Sequence, residues 1–317
     1  MYERISSPVD YGGLTLKNRI IFAPTTLGLS EEEQLSRLEA IAAGGCAMII
    51  LGDVPVGRHG FGPDLYSRKG FAHYKRLTDA IHRQGCLVCS QLHQSDSDLL
   101  AMLRCIPGVL TKRLSSDDLR AQLNRAAGPY ITRLPARKVA EITASFGEAA
   151  VRARAAGFDL VQVHGDRMCG SFSSPLFNHR TDDYGGGPVH RARFAVEAVS
   201  AIRRRCPDLP IDFKLAVRME DPHYGNAGVL VSELPVFLPM LEKAGAPAST
   251  WPWPTTPPSP TPSRRPTTPS SAARAASSPS ATPSGPSPTC RCAPWAGSAT
   301  PISSRNSSGP GGWTAPP

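Results

Sequence analysis

Between residues 246 and 317 the chain has no lysine and no acidic side chain; five arginines carry all the charge there. That gap accounts for much of the formal net charge of +9. The body before it holds 30 basic and 26 acidic residues, an ordinary balance for a soluble enzyme. It offers no basic stripe with interleaved aromatics, so no nucleic-acid partner is expected. Long apolar runs are missing too. The longest, Cys46–Leu51, falls far short of the roughly 20 residues that cross a bilayer. The opening MYERISSPVDYGG lacks the apolar core of a secretory leader. No membrane partner is expected, and the chain is expected to be cytoplasmic. The eight cysteines are scattered. Cys86 and Cys89 make one C-x2-C, but no second pair stands at zinc spacing, and residues three apart on a strand face opposite sides. Buried free thiols in a reducing cytosol, with no metal, are the expectation.

What is present is an alternation of short apolar runs with amphipathic stretches, which predicts parallel strands joined by crossover helices. Residues 20–23 read as a strand ending at Pro24. Ser30 followed by three glutamates reads as a helix start that runs to Gly44. Residues 46–51, 86–92, 158–163 and 210–216 read as further strands, with helices over 71–83, 140–156 and 191–204. Residues 94–134 are polar and read as an irregular loop over a barrel mouth. Five βα units are counted up to Gly245; eight close a barrel.

The stretch Gly157–Gly186 organises the chain. An apolar run ends at His164 and Asp166, and strand ends carry the chemistry in α/β barrels. The pattern HG-(eleven residues)-FN-x-RTDDYGG-(four)-RARF resembles the signature of the Old Yellow Enzyme and NADH:flavin oxidoreductase family. The run N-R-(three apolar)-A-P-T-T at residues 18–26 is similar to the family's first strand.

The resemblance covers residues 1–245 and implies a (β/α)8 TIM barrel that binds FMN. NADH or NADPH would be the electron donor, and a small enone, enoate or enoyl thioester the acceptor. It implies that Pro24, Thr25 and Thr26 lie against the flavin at the top of the first strand. Gly52 lets a flat ring approach the backbone at the mouth of the second strand. Gln91 suits the pyrimidine edge, since an amide both donates and accepts. Lys214 places a cation beside the ring, which stabilises its reduced, anionic form. His164 would donate to the substrate oxygen. Arg167 stands where the family usually has His or Asn, and its permanent charge favours a carboxylate or thioester. Cys169 stands where the family often has a proton-donating Tyr; a thiol near its usual pKa of about 8.5 could protonate a carbanion. Asp182, Tyr184, Gly185 and Gly186 read as loop architecture rather than chemistry.

After Gly245 the composition changes. Residues 246–317 are mostly Pro, Ser, Thr, Ala, Gly and Arg, yet hold all four tryptophans. A disordered Pro-rich tail explains the prolines but not the tryptophans. A shifted reading frame explains both. Read two bases later, the codons of a Trp-Pro pair contain GCC, alanine. Thr250–Thr256 can then decode as an alternation of Val or Leu with Ala, then two NAC codons, which resembles the family's sixth strand. Cys290–Arg305 can be re-read as the family's Gly-Gly phosphate loop. On that reading the polypeptide is an incomplete barrel with an out-of-frame tail, and its activity is impaired as written. The alternative is a non-catalytic half barrel whose Pro257–Pro266 segment binds SH3-like modules.

Overall fold

The computed structural model describes residues 3–246, except Thr26, 59–61, 97–98, 112 and 219–226, together with Trp253 and Pro254. The chain opens with a one-turn helix α1 (Glu3–Ser6) and a hairpin of β1 (Val9–Tyr11) and β2 (Leu14–Leu16). Then come β3 (Ile21–Phe22), α2 (Glu31–Ala43), β4 (Met48–Pro55), α3 (Arg68–Arg83) and β5 (Leu87–His93). Three helices follow: α4 (Leu99–Leu110), α5 (Ser116–Arg133) and α6 (Ala136–Ala155). The chain continues through β6 (Leu160–His164), α7 (Met168–Ser173), α8 (Pro188–Arg205) and β7 (Ile211–Lys214). It proceeds through β8 (Ala216–Arg218), β9 (Val229–Leu230), α9 (Leu234–Ala244) and β10 (Trp253–Pro254).

Strands β3-β4-β5-β6-β7 form one parallel sheet in chain order. This is the half barrel of five strands that the sequence predicts. Its two faces bury different things. The outer face packs against the helices, where Phe146, Phe172, Phe194 and Phe213 are each at most 2 % exposed. Phe172 stacks on Phe194 with centroids 4.6 Å apart. On the inner face Met48, Ile50, Cys89 and Leu160 form a second, smaller core with Leu16 of the hairpin. The β1–β2 hairpin therefore plugs the amino end of the half barrel and leaves the carboxyl end for polar groups.

Local signals explain most elements. Ser30 caps α2 in a capping box: its side chain accepts from Glu33 N while the Glu33 carboxylate accepts from Ser30 N at 3.0 Å. Residues 94–134, read as irregular, instead hold α4 and α5. Their prolines, Pro107 and Pro129, mask the helical pattern, and the second capping box, Ser115 with Asp118, is the signal that marks the start of α5. The hairpin was also missed; its Gly12–Gly13 turn has φ of 61° and 91°, the geometry that glycine supplies in tight hairpins.

Trp253 and Pro254 pair in parallel with Ala216 and Val217. The rest of 247–317, and with it the expected frame change, lies outside the described residues.

Candidate functional site

Residues two apart on a strand share a face. The register therefore lines up Gln91, Gln162 and Asp212 as one polar row on the inner face. One step nearer the carboxyl end, His164 faces Lys214 across β6 and β7, and His93 meets His164 edge-on at 5.5 Å. Gly165 closes this rim. Its N–H donates to the Lys214 carbonyl at 2.9 Å, and any Cβ there would collide with that same oxygen.

Asp166 ties the rim together. One of its oxygens pairs with His164 Nδ1, and the other accepts from Lys214 Nζ at 3.2 Å. His164 Nε2 lies 3.7 Å from Asp53. Asp53 sits at a break in the β4–β5 register with φ of 55°, a left-handed conformation that costs a non-glycine residue about 1 kcal/mol or more and concentrates at functional sites. His164 is 8 % exposed. Burial pushes its pKa down to about 4, with help from Lys214 and His93 and against the pull of Asp166 and Asp53. The ring is thus neutral at pH 7 and has one N–H. A carboxylate faces each ring nitrogen, Asp166 at Nδ1 and Asp53 at Nε2. Burial likewise holds the His93 pKa below its usual value.

Next to the rim lies a cavity of about 320 Å3, lined by Tyr11, Arg19, Pro24, Gln162, Asp212 and Lys214 among others. Gly52 stands beside Pro24 and Gln91. A Cβ on Gly52 would stand 3.2 Å from Pro24 Cβ and 3.7 Å from Gln91 Oε1. The buried Gln91 Nε2 donates to Gln162 at 2.6 Å, and no described residue donates to its oxygen.

The structure therefore brings Pro24, Gly52, Gln91, His164 and Lys214 to one end of the half barrel. Thr25 is exposed at the end of β3, and Arg167 is exposed at the start of α7. Thr26 lies outside the described residues. Cys169 is not brought to the rim. It is 2 % exposed in the outer core, where burial raises its thiol pKa far above the ordinary value. A buried thiol of that kind is a poorer proton donor than an exposed one, and its surroundings in the outer core are apolar. Asp53, Asp166 and Asp212 are the site groups that sequence reasoning gave no role. Asp53 and Asp166, each at a strand mouth, carried a signal; Asp212 did not.

The profile of the NADH:flavin oxidoreductase / NADH oxidase family matches residues 4–228. The chain belongs to that family. Among its relatives is a bilirubin reductase of Clostridium symbiosum (strain WAL-14163), 62 % identical over 246 residues, which are 77 % of this chain and 66 % of the relative. A bilirubin reductase of Mediterraneibacter gnavus (strain CC55_001C) is 34 % identical over 76 % of this chain and 38 % of its own length. The chain thus spans less than two thirds of these relatives. The Old Yellow Enzyme structure from Pichia sp. AKU4542 shares the fold, with a TM-score of 0.59 over 77 % of this chain and 69 % of that one, at 20 % identity.

The family's cofactor is FMN, and its electron donors are NADH and NADPH. The inner rim of this family member has groups that fit FMN: Gly52 has no side chain where it meets Pro24 and Gln91, the Gln91 oxygen accepts from no described residue, and Lys214 supplies a cation beside the cavity. Among the described residues no group of His, Cys, Asp or Glu could hold a metal ion, and no helix is long and apolar enough to cross a membrane.

Proposed function

We propose that this chain is an ene-reductase, moving hydride from NADH or NADPH to a C=C bond conjugated to a carbonyl. The substrate would be a small molecule carrying a carboxylate or thioester. The observation behind this reading is the gathering of Lys214, Gln91 and the neutral, buried His164 at one strand-end rim. FMN, when bound, supplies the hydride-carrying chemistry that no side chain possesses. Pro24, Gly52, Gln91 and Lys214 would hold it, with Thr25 at the same strand end.

The chain's own residues would then act on the substrate. His164 has a single N–H, and its Nδ1 lies against Asp166. Because Asp166 already reaches Lys214, a carboxylate that turns fully toward the lysine frees the ring to donate its N–H to a substrate oxygen. Donation to that oxygen draws electron density from the β-carbon and prepares it for hydride. Arg167 would pair with a carboxylate at the mouth.

Bilirubin is the first substrate to test. The 62 % identical relative carries its name, and the molecule combines conjugated C=C bonds with two carboxylates. The chain, loaded with FMN and reduced anaerobically with NADH, should bleach bilirubin in proportion to the NADH consumed. A reduced chain that leaves bilirubin and cinnamate untouched yet passes its electrons to oxygen would favour an NADH oxidase instead.

A further inference from the structure

A glutamine amide is nearly symmetric in shape, so packing alone does not decide which end faces which neighbour. Chemistry decides it here. A carboxylate only accepts hydrogen bonds. Asp212, 4 % exposed, accepts from Gln162 Nε2 at 2.5 Å. The Gln162 carbonyl must then face β5, where it accepts from Gln91 Nε2 at 2.6 Å. Among the described residues none donates to the Gln91 oxygen, which lies beside Gly52, 3.7 Å from where a Cβ would stand. Burial raises the Asp212 pKa, and hydrogen bonds from Gln162, the Tyr11 hydroxyl and the Phe213 N–H act against that rise and favour the carboxylate; Arg19 and Lys214 line the same cavity.

We propose that Asp212 is a positioning residue that fixes the polarity of the Gln162–Gln91 chain, so that Gln91 always presents an acceptor and selects a ligand with an imide N–H. The matching group is the N3–H on the pyrimidine edge of a flavin; the proposal rests on the reading of Gln91 as a flavin contact. Without Asp212 both amides are free to turn over together, and Gln91 offers a donor as readily as an acceptor. Asp212 touches no ligand in this arrangement; it acts through two side chains.

The test uses the full 317-residue chain and two ligands, FMN and its N3-methyl derivative, with affinities read by fluorescence titration. The wild-type chain should prefer FMN by about tenfold or more, the ratio expected when one buried hydrogen bond is lost. In Asp212→Leu and in Gln162→Met that preference should collapse toward unity, while circular dichroism reports an intact fold. Gln162→Met breaks the chain without touching the carboxylate, so it decides the matter if Asp212→Leu does not fold. A merely structural Asp212 would weaken both ligands alike and leave the ratio in place. A folded variant that keeps the wild-type ratio overturns the proposal, as does a wild type that binds both ligands equally. A wild type that binds neither overturns it together with the flavin reading of Gln91.

Discussion

His164→Ala is expected to slow transfer to the alkene by about a hundredfold or more, the usual cost of removing one donor to a developing oxyanion. Reduction by NADH should hardly change, because the role proposed for His164 is donation to the substrate oxygen. Stopped-flow measurement of the two half-reactions separates them. The ring is 8 % exposed, and its Nδ1 is held by Asp166, so alanine also leaves Asp166 to Lys214 alone. His164→Asn keeps an N–H donor of similar reach and should recover part of the lost rate. Equal slowing of both half-reactions in His164→Ala would remove His164 from substrate activation.

The second large effect concerns the RTDDYGG signature. Arg180→Ala is expected to cost about 3 kcal/mol or more in stability, read as a drop in the urea midpoint at constant slope. Arg180 is 7 % exposed. Its Nη1 donates to the carbonyls of Ile131 and Leu134 at 2.6 and 2.5 Å, and its other nitrogens grip Asp182. The guanidinium also lies 5.8 Å from the ring centres of both Phe172 and Tyr184. Alanine would take the Arg180 donor from the buried Leu134 carbonyl, leave the Ile131 carbonyl with the 3.4 Å bond from Leu134 N–H, and free Asp182, whose pKa the arginine holds below the ordinary carboxylate value. Arg180→Lys should recover little, because a single ammonium cannot span the fork of acceptors. A midpoint shift within the scatter of surface substitutions would mean the signature serves chemistry and not architecture.

That signature was legible as architecture because its residue types, an arginine among turn-forming Asp, Tyr and Gly, suit an ordered loop. The five strands were legible because each is a short apolar run bounded by polar or glycine residues. The hairpin was not, since its strands are only three residues long and present no periodicity. Helices α4 and α5 were hidden by prolines that a helix tolerates once neighbouring groups satisfy its backbone. Within the site, Gln91, His164 and Lys214 were visible as polar residues ending apolar strands. The double grip of Asp166 on His164 and Lys214 depends on the spacing of β6 and β7, which no local pattern records. Asp212 was hidden for a similar reason. A carboxyl in an apolar run gives no sign that two glutamines on neighbouring strands stand in line with it.

The central claim, that this half barrel is built to hold a flavin at the rim formed by Gln91, His164 and Lys214, is tested most directly by titrating the purified 317-residue chain with FMN and following flavin fluorescence. We predict saturable quenching at a single site, with affinity lowered about tenfold or more in Lys214→Ala, as loss of a charged contact would produce. Fluorescence that stays that of free FMN throughout the titration, or a Lys214→Ala chain that binds as tightly as the wild type, would contradict it.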